Sequence, residues 1–272
     1  MTPGPTIPRP APRPAGPGTL PTVHRPLVKA FAWYSRRYIR RHFHALRVAG
    51  LDQAAGASQG PLVLYANHSA WWDPLLALVL ADHCFGDRLA FAPIDSGALA
   101  RYGILSRMGF FGVDRDSRRG AARFLRVAGE VVASPGRLLI VTPQGRFADA
   151  RERPLRFAAG LGHLAARTPG VSYLPVAVEY PFWEERLPEI LVAFGHPFQP
   201  PSGIEADEAT RVLEDRLAAT QDRLAAYSLA RDSGAFERLL HGGAGQGGIY
   251  DLWRATISRL RGRSFRREHG TR

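Results

Sequence analysis

Between residues 62 and 227, short apolar segments of strand length alternate with longer segments of helical periodicity. This alternation restricts the chain to an α/β fold, since helices that cross between strands return the chain to the same end of a sheet and make the strands parallel. The sequence therefore predicts a mostly parallel central sheet flanked by helices. The predicted strands cover 62–66, 89–92, 110–113, 138–142, 173–178 and 190–194, and the predicted helices cover 74–82, 96–102, 117–133, 157–167 and 205–227.

The net charge of +12 is concentrated at the two ends of the chain. Residues 1–60 carry nine Arg and Lys against one acid, residues 251–272 carry seven Arg against two acids, and residues 61–250 carry a net −1. A basic surface on a nearly neutral domain favours an anionic partner, either a membrane or a nucleic acid. A solvated basic tail without a function is the alternative, particularly for 261–272.

Residues 27–50 form a predicted basic amphipathic helix at the N-terminal side of the domain. Aromatic and aliphatic side chains recur at helical spacing on one face, and basic side chains line another, which is typical of a helix at a membrane interface. A plain surface helix packed on the domain fits the pattern equally well, and both readings can hold together. The apolar positions include Leu27, Phe31, Tyr34 and Tyr38, and the basic ones are Lys29, Arg36, Arg40 and Arg47.

The remaining terminal segments are predicted to lie outside the core. Residues 1–26 contain nine prolines and are expected to be a disordered tail, and 231–272 are expected to be a Gly-rich loop followed by a basic helix or tail. No apolar run reaches the roughly 18 to 20 residues that span a bilayer, and no signal peptide is recognisable. The single cysteine, Cys84, excludes an internal disulfide and fits a reducing compartment. We expect a peripheral protein at the cytoplasmic face of a membrane.

A histidine and a carboxylate five positions apart follow the first predicted strand of the sheet. His68 and Asp73 come directly after the apolar run 62–66, at a position where open α/β sheets collect their sites. Imidazole suits base chemistry near neutral pH, and a carboxylate can hold one ring nitrogen while the other accepts a proton. The alternative is structural: Asp73 before Pro74 is also typical of a helix N-cap, which would leave His68 as an ordinary loop residue.

Two further polar segments end predicted strands. Arg115 closes the Gly-punctuated segment 109–115, where its guanidinium could grip a phosphate or simply pair with Asp114 or Asp116. The segment Thr142–Arg146 follows a buried strand, and Gly145 permits a tight turn or the close approach of a ligand. The apolar segment Leu174–Val176 is expected to serve packing.

In order along the chain, these segments resemble the four sequence blocks of the glycerolipid acyltransferases, which include 1-acylglycerol-3-phosphate acyltransferase and its lysophospholipid relatives. Residues Asn67, His68 and Asp73 match an Asn-His-x4-Asp block. The second block is matched by Gly109, by Phe110 or Phe111, and by Arg115, the third in part by Pro143, Gln144, Gly145 and Arg146, and the fourth by Leu174, Pro175 and Val176. The resemblance covers about residues 60–200, and it places an acyltransferase domain at 60–230.

The resemblance implies transfer of a fatty acyl group from acyl-CoA or acyl carrier protein to a lipid hydroxyl, without a cofactor or a metal. His68 would be the general base and Asp73 would orient it. The substrate-binding residues would be Arg115, Gln144, Gly145 and Arg146. The expected partners are an anionic membrane surface, the acyl donor and a lysolipid acceptor, but not a nucleic acid, since no nucleic-acid-binding module is recognisable.

The third block departs from the family pattern. Gln144 stands where the family has glutamate, and Arg146 stands where it usually has threonine. The acceptor is therefore open: lysophosphatidate, a lysolipid with another head group, or a hydroxylated or glycosylated lipid. Two other functions also remain open, namely a non-catalytic lipid-binding peripheral membrane protein with this fold, and a hydrolase in which water replaces the acceptor.

Overall fold

The computed structural model describes residues 20–57, 60–115 and 117–243. Its strands are β1 (Ala45–Ala49), β2 (Leu62–Ala66), β3 (Leu89–Asp95), β4 (Phe110–Val113), β5 (Arg137–Val141), β6 (Ser172–Glu179), β7 (Ile190–Phe194) and β8 (Glu237–His241). Within the described ranges these eight strands form one sheet in the order β4-β3-β5-β2-β6-β7-β1-β8.

Five neighbouring strands, from β4 to β6 in the sheet order, run parallel to one another. Their carboxyl ends therefore meet at one edge of the sheet. The direction reverses between β6 and β7, which are joined without a crossover helix, and β8 is antiparallel to β1. The predicted α/β fold with a mostly parallel sheet is confirmed.

Helices cover both faces of this sheet. Strand β2 shows how the sequence builds the two layers, because Leu62 and Leu64 pack into one core while Val63 and Tyr65 pack into the other. A strand covered on both faces reads as continuously apolar, and each such side chain contributes about 1.5–3 kcal/mol by leaving water. The helices are α1 (Arg25–His42), α2 (Leu51–Gly56), α3 (Asp73–Cys84), α4 (Ser96–Arg101), α5 (Arg118–Val132), α6 (Gly160–Arg167) and α7 (Ala206–Ala230).

The first core is closed by α1 and α3, and the second by α5, α6 and α7. Outside the ends of the chain, each predicted helix and strand is found within three residues of its predicted bounds. Across the three described ranges, none of the helices combines the length and the apolar content that crossing a bilayer requires.

The predicted helix over 27–50 is wrong beyond His42, in its last third. Helix α1 ends at His42, and β1 follows as a fully buried strand between β7 and β8. Arg47 was assigned to a basic helix face, but it is 7% exposed, pairs with Glu189 at 3.1 Å and lies over the Trp183 ring. Phe43 and Leu46 continue the helical spacing by coincidence. A strand that is buried on both faces, as β1 is, shows no alternation of apolar and polar residues that would distinguish it from a helix.

Three other boundaries also differ from prediction. Residues 51–61, for which the sequence predicts no helix or strand, contain α2, and the terminal segment predicted from 231 contributes β8 to the sheet. In the tail predicted over 1–26, Leu20 and Val23 pack against the second core and α1 begins at Arg25. The domain predicted over 60–230 therefore extends to both sides. The predictions for 1–19 and 244–272 lie outside the described residues.

Candidate active site

The candidate site lies at the edge where the carboxyl ends of the parallel strands meet. His68 follows β2, Gln144 follows β5, Arg115 follows β4 and Tyr180 follows β6. Because β5, β2 and β6 are adjacent in the sheet, the loops that follow them are neighbours. The structure thus brings the predicted site residues to one edge, as expected for an open α/β sheet.

His68 and Asp73 are in direct contact. Nδ1 of His68 lies 2.7 Å from Oδ2 of Asp73, so the ring donates its Nδ1 proton to the carboxylate and leaves Nε2 as a proton acceptor. The Asp73 side chain is 10% exposed and that of His68 is 21% exposed. A buried acid therefore orients a histidine whose working nitrogen can reach a substrate, which is the geometry of a general base.

Asp73 is held by the loop that precedes it. Its Oδ2 accepts hydrogen bonds from the backbone N–H groups of Ser69 and Ala70, each at 3.0 Å, and its Oδ1 accepts one from the Tyr180 hydroxyl. The N-cap interpretation is wrong, since Asp73 is the first residue of α3 and its carboxylate faces backward into the loop rather than forward into the helix. The short local bonds make the 68–73 loop a compact unit around one carboxylate.

Asn67 ties this loop to the neighbouring strand β6. Its side-chain amide donates to the carbonyl of Val178 at 2.9 Å and accepts from the N–H of Val178 at 2.8 Å. Asn67 is 1% exposed, so both bonds form away from water, where an unmade bond would be costly. Asn67 is included in the Asn-His-x4-Asp block, but the sequence predicts no role for it. In the structure, Asn67 anchors the loop to β6.

The turn after β5 approaches the histidine from the other side. Gly145 adopts φ +66°, a left-handed conformation that glycine adopts without strain, and its N–H closes the turn on the Thr142 carbonyl at 3.0 Å. Arg115 donates through Nη1 to the Gly145 carbonyl, which brings two of the predicted binding residues together. The hydrogen bond from Ala148 N–H to the His68 carbonyl, 2.8 Å, joins this segment to the 68–73 loop.

Gln144 is buried beside the histidine, and only the oxygen of its side-chain amide has a hydrogen-bond partner among the described residues. Its Oε1 accepts from the His68 backbone N–H at 3.4 Å, a long bond, and the residue is 7% exposed. Its Nε2 is buried and has no hydrogen-bond partner among the described residues. A buried amide donor without a partner costs about 1–3 kcal/mol, a cost that a bound water or ligand supplying the missing acceptor would offset.

Arg146 is engaged with a carboxylate that the sequence analysis did not single out. Its guanidinium forms a two-point contact with Glu152, with Nη1 to Oε2 at 3.1 Å and Nη2 to Oε1. The hydrogen bonds and opposite charge of this pair lower the pKa of Glu152 and raise that of Arg146. About half of the Arg146 side chain is exposed, so the pair lies in contact with water. The sequence offered only the presence of nearby acids in 149–152 as a signal for this contact.

Exposed aromatic side chains surround the opening above His68. The Phe147 ring packs on the His68 ring with 4.3 Å between centroids, yet 58% of Phe147 is exposed. Trp71, from the 68–73 loop, is 59% exposed and meets Tyr38 of α1 edge to face. Large exposed aromatics at the rim of a polar site indicate an apolar partner for that rim.

Helix α1 packs on the domain and also presents a basic aromatic face. Ala32, Ser35 and Ile39 are buried, and Lys29 and Arg36 pair with Asp82 of α3 at 2.5 and 2.6 Å. Burial alone would raise the pKa of Asp82, but these two hydrogen bonds outweigh it and lower the pKa. The surface-helix interpretation is therefore confirmed. On the outer face, an open groove is lined by Trp33, Arg37, Arg40 and Arg41.

Two other kinds of chemistry receive no support from the described residues. Burial raises the pKa of the Cys84 thiol to about 11, so at neutral pH it stays protonated and is a poor nucleophile. Within the ranges 20–57, 60–115 and 117–243, no cluster of three or more His, Cys, Asp and Glu side chains is arranged to hold a metal ion.

The comparisons with known proteins agree with this fold. A family model described as Acyltransferase matches residues 43–179, half of the chain. The structure is similar to a crystal structure of the 1-acyl-sn-glycerophosphate (LPA) acyltransferase PlsC from Thermotoga maritima, with a TM-score of 0.57, 16% sequence identity, and coverage of 74% of this chain and 81% of that one. No functionally curated protein matches the sequence at a significant level. The family prediction is confirmed: this chain belongs to the acyltransferase family.

Proposed function

We propose that this protein transfers a fatty acyl group from acyl-CoA or acyl carrier protein to the hydroxyl of a lysophospholipid or related lipid at a membrane surface. The observation that carries the proposal is the 2.7 Å contact between His68 Nδ1 and Asp73 Oδ2, which leaves the second ring nitrogen free. A lipid hydroxyl is a poor nucleophile, and a positioned base accelerates its attack by about 10²–10⁴-fold.

In the proposed reaction, Nε2 of His68 removes the proton of the acceptor hydroxyl as its oxygen attacks the thioester carbon. The resulting tetrahedral oxyanion collapses, the carbon–sulfur bond breaks, and the imidazolium returns its proton to the leaving thiolate. Asp73 stabilises the imidazolium between these steps. No acyl-enzyme forms, because the histidine acts as a base and not as the nucleophile.

The acceptor is proposed to lie between Arg115 and the turn that contains Gly145. Arg115 uses Nη1 for the Gly145 carbonyl, so its other N–H groups remain available to a phosphate. The unpartnered Nε2 of Gln144 supplies a neutral donor to an acceptor oxygen close to His68. Arg146 would join only after releasing Glu152, a release that costs little for an exposed pair.

The proposed membrane surface is the outer face of α1 together with the rim of the site. Trp33 is 65% exposed and lies beside three arginines of the same face, which fits an interface between water and anionic lipid head groups. Flotation with vesicles tests this proposal. Arg37→Glu combined with Arg40→Glu should reduce binding to vesicles rich in phosphatidylglycerol. If that variant binds the vesicles as strongly as the wild type, the outer face of α1 is not the membrane-binding surface.

Turnover tests the chemistry. Purified protein with acyl-CoA or acyl carrier protein and a lysolipid panel should release the free thiol and an acylated product. His68→Ala should lower turnover by about 10³-fold, since the base and its positioning are lost together. The matched control is His196→Ala, which removes an exposed imidazole that pairs with Gln53. A His68→Ala variant as active as the control would exclude the mechanism.

A non-catalytic lipid-binding protein is the second candidate. The observation that favours it is the third block, where Gln144 carries no charge and Arg146 is already paired with Glu152. This candidate predicts saturable lysolipid binding with no thiol release from any donor. A third outcome, free fatty acid in the absence of acceptor, would identify a hydrolase.

A further inference from the structure

Tyr180 contacts the Asp73 carboxylate from outside the four sequence blocks. It lies directly after β6, and its hydroxyl donates to Oδ1 of Asp73. Within the described part of the chain, the other recorded hydrogen bonds of this carboxylate, from His68, Ser69 and Ala70, all reach Oδ2. Tyr180 therefore holds the carboxylate oxygen that the histidine does not use.

This second attachment has a geometric consequence. Rotation of the carboxylate about its Cβ–Cγ bond moves both oxygens, so the three donors on Oδ2 and the single donor on Oδ1 restrain it together. When both oxygens are held, the carboxylate plane is set, and the plane sets the direction from which His68 donates. Loss of the Oδ1 donor leaves only one side of the carboxylate restrained. Since a base must sit within hydrogen-bond reach of the proton that it removes, a small error in ring orientation lowers turnover.

The Tyr180 hydroxyl stays protonated and can therefore donate to the carboxylate. The pKa of Tyr180 lies well above its usual value, because burial disfavours the phenolate and the Asp73 carboxylate disfavours it further. The ring is confined by Trp72, 5.5 Å away between centroids and edge to face, and by Phe43 at 6.0 Å. A protonated hydroxyl on a ring confined by two aromatics presents its hydrogen in one direction.

The same end of β6 also anchors the start of the loop. Val178 takes both hydrogen bonds of the Asn67 amide, two residues before Tyr180. The end of β6 thus holds the loop that carries His68 at two points. These are Asn67 at the start of the loop and the Asp73 carboxylate at its end. Through Asp73, Tyr180 is therefore linked to the histidine without touching it.

We propose that Tyr180 is a positioning residue for the His68–Asp73 pair, a proposal that rests on the proposed role of His68 as the general base. Its hydroxyl fixes the carboxylate plane and draws part of the negative charge of Asp73 away from the histidine. Without that hydroxyl, the carboxylate would hold the imidazolium proton more tightly. His68 would then remain protonated to higher pH.

The test compares Tyr180→Phe with Tyr173→Phe. Both variants delete one phenol oxygen from or next to strand β6. Tyr173 is fully buried and its hydroxyl bonds to Thr168 Oγ1 at 2.8 Å, away from Asp73, so it controls for the loss of a buried hydrogen bond. Tyr180→Phe should lower kcat about 10-fold, since hydrogen bonds to charged groups are strong, and leave the acceptor KM within about twofold. The acid limb of its kcat/KM profile should move up by about half a pH unit.

The control should keep the wild-type kcat and pH profile even if its melting temperature falls. A Tyr180→Phe variant whose kcat and acid limb coincide with those of the control would overturn the proposal. If the Tyr180 hydroxyl only stabilised the fold, Tyr180→Phe would behave like Tyr173→Phe. Its melting temperature would fall, and the acid limb of its kcat/KM profile would not move.

A second readout does not need turnover. The His68 imidazole can be titrated by NMR in the free protein, assigned by comparison with His68→Gln, in the wild type and in Tyr180→Phe. The midpoint should be higher in the variant, and superimposable titrations would overturn the positioning role. If the wild type releases no thiol with any donor and acceptor, the proposed function fails, and this titration still decides whether Tyr180 positions the pair.

Discussion

Two loops meet at the candidate site, and they are held in opposite ways. The 67–73 loop is fixed by two buried hydrogen bonds between Asn67 and Val178 and by four partly buried ones from separate donors onto Asp73. The 144–152 segment contains an amide donor without a partner and an ion pair, Arg146–Glu152, in contact with water.

This contrast separates two tasks. Several hydrogen bonds that converge on one shielded side chain hold it rigidly, which suits a base that must keep its orientation through the reaction. Exposed ion pairs contribute little to stability and exchange partners readily, which suits a surface that must accept a charged or polar ligand. We expect substitutions in the first loop to affect turnover most, and substitutions in the second to affect acceptor recognition.

The largest effect is expected from Asp73→Asn. An amide carries no charge and has one acceptor oxygen in place of two, so the histidine loses its stabilising charge and the side chain that orients it loses one of its two points of attachment. Turnover should fall on the order of 10³–10⁴-fold, measured as thiol release. Asp82→Asn is the control, because it makes the same change on the same helix at an ion pair with Lys29 and Arg36. Equal activity in the two variants would contradict a special role for Asp73.

Asn67→Ala should weaken both the fold and the reaction. It leaves the N–H and the carbonyl of Val178 buried without partners, at a cost of about 3 kcal/mol of unfolding free energy. Because the loop loses its anchor, kcat should also fall, by about 10-fold. Urea unfolding and steady-state kinetics measure the two effects. Gln53→Ala, at a solvent-accessible amide, should change neither, and an Asn67→Ala variant as stable as this control would show that the anchor is dispensable.

Gln144→Met is expected to separate stability from acceptor binding. It removes an unpartnered buried donor together with one long hydrogen bond, so the unfolding free energy should change by less than about 1 kcal/mol. If Nε2 serves the acceptor, the acceptor KM should rise about 10-fold while the KM of the acyl donor stays constant. Initial rates with each substrate varied in turn provide the measurement. An unchanged acceptor KM would place the acceptor elsewhere.

The smallest effect is expected from Glu152→Gln. Arg146 lowers the pKa of Glu152, so the carboxylate stays ionised and the pair persists at neutral pH; it is lost only as the pH falls through that lowered pKa. Releasing Arg146 should lower the KM of a phosphate-bearing acceptor about threefold and leave that of an uncharged acceptor unchanged. Asp149→Asn, which frees Arg151 on the same segment, is the control. If the ratio of the KM values for the phosphate-bearing and the uncharged acceptor does not change, Arg146 takes no part in acceptor recognition.

Much of this site could be predicted from residues close together in the chain. His68 and Asp73 lie five positions apart after an apolar strand, and their contact needs only one loop to close. The blocks at 109–115 and 142–146 could be placed with them because strand ends of a parallel sheet share an edge. The contact between Arg115 and Gly145 is consistent with that placement.

Contacts between distant residues could not be predicted in the same way. Tyr180 lies 107 positions from Asp73, and nothing in its local sequence distinguishes it from any aromatic residue at a strand end. Arg47 pairs with Glu189, 142 positions away in the sequence. The sequence predicts Arg47 on the basic face of a helix, whereas in the structure it lies in the buried strand β1. Glu152 is one of two acids close to Arg146 in the sequence, and only the fold of the turn shows that it is the one Arg146 contacts.

The sequence by itself determined the α/β class, the pairing of His68 with Asp73 and the place of the candidate site, because periodicity and short spacings are local properties of the chain. Tertiary structure decided how the acid is held, which arginine is engaged and where the sheet begins and ends. Those properties depend on which strands become neighbours, and strand order is settled by burial of the whole sheet between two layers of helices.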